Sequence, residues 1–228
     1  MPDAKGFRMR LRRNWQGEAA LPGMPGVLET GASSHQPDWA EVFGRKAAIH
    51  VEIGVGKGDF ILSAAMKYPH IDFIGIEKSW TVLYIAAKKN QAKPLRNLRF
   101  LPIDAAVAGL FFPSGQIERI YLNFSDPWPK TRHESRRLTA KEKLSLYNKL
   151  LKPGGQVHLK TDQKGFFRYS LGMFIREGWS VGKLCKDLYR SGFEENIPTE
   201  FEQRFLLMGQ PIYRLEAWRA ATETGQDV

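Results

Sequence analysis

At 228 residues, 43% of them hydrophobic and 25% charged, the chain is long enough for one well-packed α/β domain and short for two. A formal net charge of +10 argues against a neutral, non-interacting surface and points to a polyanionic partner, either nucleic acid or an anionic membrane face. No apolar run approaches the ~20 residues of a membrane span, no signal-peptide pattern opens the chain, and the single cysteine, Cys185, forbids an internal disulfide, so a reducing cytoplasm is expected.

Residues 1–40 are expected to form a basic, loosely ordered arm, and residues 41–228 a single domain. Arg8, Arg10, Arg12 and Arg13 lead to Trp15, and a Gly/Pro/Ala-rich tract runs from Gly17 to Pro37. A solubilising tail and an arm that folds onto RNA phosphates are equally compatible with that composition. The first strand is Ala48 to Ile53, followed by the glycine turn Gly54-Val55-Gly56-Lys57-Gly58 and a helix from Phe60 to Tyr68 that Pro69 stops. A second strand, Asp72 to Ile76, ends at Glu77. Ser79 is a cap for a helix reaching about Gln91. A third strand, Leu98 to Ile103, closes on Asp104, and after a short helix a fourth runs from Arg119 to Phe124.

Thr139-Ala140-Lys141-Glu142 has the form of a capping box, with Leu144, Tyr147, Leu150 and Leu151 as the apolar face of its helix and Pro153-Gly154-Gly155 as the stop. A fifth strand, Gln156 to Lys160, leads to Thr161-Asp162. A helix from about Phe166 to Arg176 follows, then a strand near Trp179 to Cys185. A short helix starts at Pro198-Thr199-Glu200-Phe201-Glu202 and is capped by Gly209, and a last strand runs from Ile212 to Trp218. Strand and helix alternate without internal repeats. The expected fold class is therefore α/β, a doubly wound and mostly parallel sheet, with room in the last strand-helix-strand portion for an antiparallel edge strand.

The acids and glycines of this frame carry chemistry. The Gly-x-Gly-x-Gly spacing is tighter than the dinucleotide fingerprint, and Glu52 just ahead of it would repel a pyrophosphate. It would attract a cation: at 4 Å and a surface-like dielectric, opposite charges are worth roughly 4 kcal/mol. S-adenosylmethionine, with an ammonium, a sulfonium and no phosphate, has the right sign. Gly54, Gly56 and Gly58 let backbone approach it, Glu77 stands where an acid accepts ribose hydroxyls, and Asp104 can accept from an adenine amino group. Any one of these acids alone reads as a cap or a solvated charge; three at successive strand ends, together with the glycines, read as a cofactor site.

After the fourth strand comes Asn123-Phe124-Ser125-Asp126-Pro127-Trp128-Pro129-Lys130, an acid, an amide and an indole on a turn stiffened by two prolines. From Lys130 to Lys141 five cations (Lys130, Arg132, Arg136, Arg137, Lys141) stand against one anion, Glu134, which suits phosphate docking that positions RNA without reading its sequence. Trp128 or Phe124 can stack on a purine, worth about 1–3 kcal/mol. Core packing is the simpler role for Phe124, and for Trp128 both roles stand. Thr199 and Glu202 fit a second capping box.

Glu52-Ile53-Gly54-Val55-Gly56-Lys57-Gly58, the Asp126-Pro127-Trp128-Pro129-Lys130 block, Arg132-His133, Arg136-Arg137-Leu138, Lys160-Thr161-Asp162 and Thr199-Glu200-Phe201-Glu202 together resemble the bacterial tRNA (guanine-N7-)-methyltransferases, in order and spacing, from about Arg8 to Trp218. The resemblance implies a Rossmann-like S-adenosylmethionine-dependent methyltransferase fold and, as substrate, the variable-loop guanosine of tRNA. It implies cofactor contacts at Glu52, Glu77, Asp104 and Asp126. It implies tRNA contacts at Lys130, Arg132, His133, Arg136, Arg137, Asp162, Thr199, Glu200, Phe201 and Glu202. Ser135 departs from the pattern, where a lysine is expected.

Guanine N7 carries an in-plane lone pair and no proton, so its methylation needs aim and charge stabilisation, not a general base. Asp126 is the residue suited to both. Cys185 lies far from every motif, against a cysteine-dependent cytosine C5 reaction. Five scattered histidines argue against a metal, and no phosphate-loop motif is present. Two rivals share parts of the pattern. An adenine N6 methyltransferase would use an acid/amide-Pro-Pro-aromatic turn, from which Pro127-Trp128-Pro129 departs. A non-catalytic RNA-binding module would not need the full set of acids and glycines. The expected partners are tRNA and S-adenosylmethionine, with no membrane and no metal, for a monomer or a homodimer.

Overall fold

The computed structural model describes residues 12–30 and 36–218, apart from the side chain of Glu200. Seven strands form one sheet in the order β3-β2-β1-β4-β5-β7-β6: β1 (Ile49–Ile53), β2 (Asp72–Ile76), β3 (Leu98–Leu101), β4 (Ile117–Asn123), β5 (Leu151–Thr161), β6 (Ser180–Cys185) and β7 (Tyr213–Trp218). The first five are parallel, with Val51 opposite both Ile74 and Ile120. β7 runs antiparallel between β5 and β6, with Leu159 opposite Leu215, so the antiparallel part is confined to one end of the sheet. Chain order leaves β1 toward β2 on one side and toward β4 on the other, which makes the β1/β4 boundary the topological switch point where ligands bind in such sheets.

Strand side chains alternate between two layers. On one side α3 (Asp59–Lys67) and α4 (Trp80–Ala92) bury Phe60, Ile61 and Leu83 against Phe73 and Phe100. On the other, α5 (Lys141–Leu150) and α6 (Lys164–Arg176) bury Leu144, Tyr147, Phe166 and Phe174 against Ile53, Ile120, Leu122, Val157 and Leu159. α7 (Glu200–Leu207) precedes β7.

Several local expectations differ from what is observed. Within the stretch expected to be loosely ordered, α1 (Trp15–Ala20) packs on α4, Leu21 is fully buried, and Val27 bridges to Phe100 in parallel fashion. Gly17 permits that contact, since a Cβ there would stand 2.6 Å from the Tyr84 ring. α2 (Trp39–Phe43) then buries Trp39 in the opposite layer. Arg8 and Arg10 lie outside the described residues. Thr139 does not cap α5. The N-cap is Ala140, and the buried Thr139 Oγ1 shares a 2.8 Å hydrogen bond with Ser170 Oγ of α6, because a buried hydroxyl takes whichever partner packing brings. Ser79 stands at the N-cap of α4 without a side-chain cap bond, and its N–H goes to Glu77 Oε1 instead. Pro153-Gly154-Gly155 lies inside β5, which follows α5 directly with a register irregularity.

Candidate active site

Because β1 to β5 are parallel, Glu52, Glu77, Asp104, Asp126 and Asp162 all come to one rim of the sheet, at or just past five neighbouring strand ends. The glycine turn and the Asp126 turn therefore leave from adjacent strands at the same edge. Gly54 and Gly56 adopt left-handed backbone (φ 80° and 56°), with nothing within 4 Å of where a Cβ would stand, so the turn is an open cradle. Gly58 is required for another reason: a Cβ would meet Ala86 Cβ of α4 at 2.7 Å. Glu77 fastens this cradle, with Oε2 accepting from Gly56 N–H at 3.3 Å and Oε1 from Ser79 N–H at 2.9 Å. Burial pushes its carboxyl above the usual range. Asp104 is exposed and caps a 3-10 turn over Ala105–Leu110 through Ala106 N–H, with Lys78 Nζ 4.0 Å away.

The centre of the rim is a pair that sequence reading only half found. Asn123 Nδ2 of β4 donates to Glu52 Oε1 of β1 at 2.8 Å across the switch point, with both side chains buried. Glu52 Oε2 is buried without a hydrogen-bond partner. Burial raises the Glu52 carboxyl to about 8, against the opposing pull of Asn123 and Lys160. A folded carboxyl titrating near 8 and an unfolded one near ~4.3 means that the native state holds the extra proton between those values. Stability contributed by protonated Glu52 is then lost as pH rises through that window. We expect wild type to lose stability relative to Glu52→Gln between about pH 5 and 8, measured by denaturant unfolding. Parallel pH profiles for the two proteins would contradict it.

The turn after β4 is held by more than its prolines. Phe124 and Trp128 both lie in the left-handed region (φ 49° and 40°), a strain of about 1–3 kcal/mol each that must be balanced by surrounding contacts. Phe124 N–H donates to Lys160 O at 2.8 Å. Arg137 donates Nε to Pro127 O at 3.1 Å and Nη2 to Trp128 O at 3.0 Å, and its guanidinium lies 4.1 Å over the Tyr169 ring. Arg137 thus grips the turn. Lys130, Arg132 and Arg136 are exposed on or beside a 3-10 helix spanning Thr131–Arg136. Trp128 is sandwiched in that segment, edge-on to His133 and under Arg136. Asp126 is half-buried. Phe124, expected in the core, is instead half-buried and stacked on Phe201 and Phe205 of α7 at ring-centroid distances of 6.1 and 5.9 Å.

The expected capping box of α7 is present: Glu202 N–H donates to Thr199 Oγ1 at 3.1 Å and Thr199 N–H to Glu202 Oε2 at 2.8 Å. What brings α7 to the rim is the first residue of the Lys160-Thr161-Asp162 stretch, to which the sequence assigned no role of its own. Lys160, at the end of β5 and 5% exposed, lies 2.9 Å from Glu202 Oε1 and also donates to Ile197 O and Asn196 Oδ1. Phe201 is left 51% exposed, and Asp162 accepts from Gln163 Nε2. Among the described residues no group of three or more His, Cys, Asp or Glu can hold a metal, and no helix is long and apolar enough to cross a membrane.

The rim suits a cationic ligand with ribose and base: an open glycine cradle, a buried Glu52 carboxyl with one oxygen unpartnered, whose proton a bound cation would displace, and Glu77 beside it. Residues 46–215 match the family described as "Putative methyltransferase". A protein of Enterococcus faecalis named tRNA (guanine-N(7)-)-methyltransferase is 43% identical over 209 residues, covering 92% of this chain and 98% of that one. One of the same name from Streptococcus equi subsp. zooepidemicus is 42% identical, covering 92% and 99%. Among solved structures, a 16S rRNA methyltransferase aligns with TM-score 0.61 at 13% identity, over 82% of this chain and 95% of that one. A 16S rRNA (adenine(1408)-N(1))-methyltransferase of Catenulisporales acidiphilia with cosubstrate SAM aligns with TM-score 0.60 at 16% identity, over 83% and 93%. These two likenesses concern the fold.

Proposed function

From the premise that this chain belongs to the tRNA (guanine-N(7)-)-methyltransferases, we infer that it transfers a methyl group from S-adenosylmethionine to N7 of the variable-loop guanosine of tRNA. The observation that carries this reading is the shared rim, where the Glu52–Asn123 pair of adjacent strands links the glycine cradle to the turn bearing Asp126. Bound there, the cofactor supplies an electrophilic methyl on a sulfonium. Gly54 and Gly56 would shape its bed, with Gly58 letting the following helix close on α4, while Glu52 and Glu77 would meet its ammonium and ribose and Asp104 its adenine. Asp126 accepts from guanine N1–H and N2–H. That hold would aim the N7 lone pair at the methyl, so that the N7–C bond forms as the S–C bond breaks and a neutral thioether leaves, with an anion near the positive charge that the base acquires.

Phe201, with Phe124 behind it, offers the ring face on which the displaced purine stacks, and Thr199 and Glu202 hold that helix end. Asp162 completes the substrate rim, and Glu200, whose side chain lies outside the described residues, is assigned to it by the family resemblance alone. Lys130, Arg132, His133 and Arg136 dock phosphates, and Arg137 serves the same end by stiffening the turn. The domain is single, the expected compartment the cytoplasm, and the protein acts as a monomer or a homodimer without metal.

Incubation with tRNA and methyl-labelled cofactor, followed by nucleoside analysis, tests the reading: N7-methylguanosine is expected, and label on an adenine or no transfer would overturn it. For the docking segment, Arg132→Ala with Arg136→Ala should weaken tRNA binding and flatten the log–log salt dependence by roughly 1.5, about 0.7–0.9 for each phosphate no longer neutralised. An unchanged slope in filter binding would make the segment plain surface.

A further inference from the structure

Over β4, β5 and β7 one face of the sheet is apolar and the other is not. Ile120, Leu122, Val157, Leu159, Leu215 and Ala217 point into the α5/α6 core. Their alternates Arg119, Tyr121, His158, Arg214 and Glu216 line, with Lys183, a polar cavity of about 160 Å³ under residues 193–197. Its charges do not balance pairwise. Glu216 is shared: Arg214 Nη2 donates to Oε1, Lys183 Nζ is 3.7 Å from Oε2, and His158 Nε2 is 3.6 Å from Oε1. The exposed Glu195 lines the cavity too.

Arg214 is 5% exposed, and its Nη1 is buried without a hydrogen-bond partner. Arg119 donates only Nη1 to Tyr121 OH at 3.4 Å, its Nε is buried without a partner, and it forms no ion pair with any described residue. Orphaned guanidinium donors are costly in the folded state, about 1–3 kcal/mol each or more when charged. The neighbouring imidazoles sense the same field. His50 and His158 are made less basic first by burial and next by the charge of Arg119, and at His158 also by that of Arg214.

We propose that this cavity is an oxyanion site, taking one phosphate-class group between Arg119, Arg214 and Lys183. Guanidinium forks match tetrahedral oxyanions in geometry and charge, and the volume admits one such group with several waters. The site lies on the face of the sheet and borders the rim at Asn123 and Lys160, which also line it; the anion would sit at its far end between the two arginines, and binding there requires neither cofactor nor methyl transfer.

Cofactor-free protein is titrated with inorganic phosphate against chloride at matched ionic strength, by calorimetry and thermal unfolding. Wild type should bind phosphate saturably with a rise in Tm, and Arg119→Gln, checked for unaltered cofactor affinity, should bind roughly tenfold or more weakly. Lys183→Met, at an exposed position, should weaken binding in the same direction and serves if the arginine variant does not fold. Equal effects of phosphate and chloride, or wild-type phosphate affinity in both variants, would overturn the proposal. A third arm assigns the source. If saturating tRNA displaces phosphate, the occupant is an RNA phosphodiester; if phosphate affinity is unchanged beside bound tRNA, it is free phosphate.

Discussion

Replacing Asp126 by asparagine or alanine is expected to lower turnover by roughly 10²-fold or more, the size of effect seen when one preorganised electrostatic group is removed from a reacting centre. Asparagine keeps the shape and removes the charge. Alanine removes both. Cofactor affinity should weaken less than turnover, because Glu52, Glu77 and the glycine cradle stand on other strands. The effect rests on rigidity. Asp126 lies between two residues with left-handed backbone, on a turn gripped by Arg137 through Pro127 O and Trp128 O. Arg137→Ala is therefore expected to lower turnover in the same direction while leaving Asp126 intact. Single-turnover rates with saturating tRNA decide it; near-wild-type values for both Asp126 variants would remove that residue from the reaction.

Lys160→Met should be among the most destabilising single changes in the chain. Its ammonium is the cation nearest the fully buried Glu202 carboxylate, and it also holds Asn196 and Ile197 of the covering segment. Burial lowers the basicity of Lys160, and Glu202 opposes that shift first. Removing one partner of a buried pair strands the other charge, at a cost of about 3–5 kcal/mol, which for a domain of this size is a Tm drop on the order of 10 °C. The double variant Lys160→Met, Glu202→Gln should recover much of the loss, since no buried charge is then left uncompensated. A loss below about 1 kcal/mol in the single variant would mean that water reaches Glu202 and that α7 is not anchored this way. Since α7 carries Phe201, the single variant should also weaken tRNA binding more than cofactor binding.

Many of the elements and most candidate residues were legible in the order of residues. Strand Ile49–Ile53, the glycine turn, the acids closing each strand, the proline-stiffened turn at Asp126 and the box at Thr199–Glu202 all follow from periodicity and turn chemistry within a few positions of one another. The misses share a cause. Thr139 has the same local signature as Thr199, but folding brings Ser170 against it, and the two lie too far apart in the chain for any local pattern to join them. The Gly/Pro-rich start reads as loose because its apolar residues are few; Leu21 and Val27 find their partners on α4 and β3, some sixty and more residues away.

The sequence by itself determined the kind of chemistry, because acids, glycines and a basic run at strand ends are local facts of composition and spacing. Only the tertiary structure decided which of them work together. Sheet register set Asn123 against Glu52, the covering segment and α7 closed over Lys160, and the insertion of β7 antiparallel to β5 left Arg119 and Arg214 facing one cavity. Those pairings join residues far apart in the chain, and they exist only where burying the rest of the sheet compensates the entropy of closing such long loops.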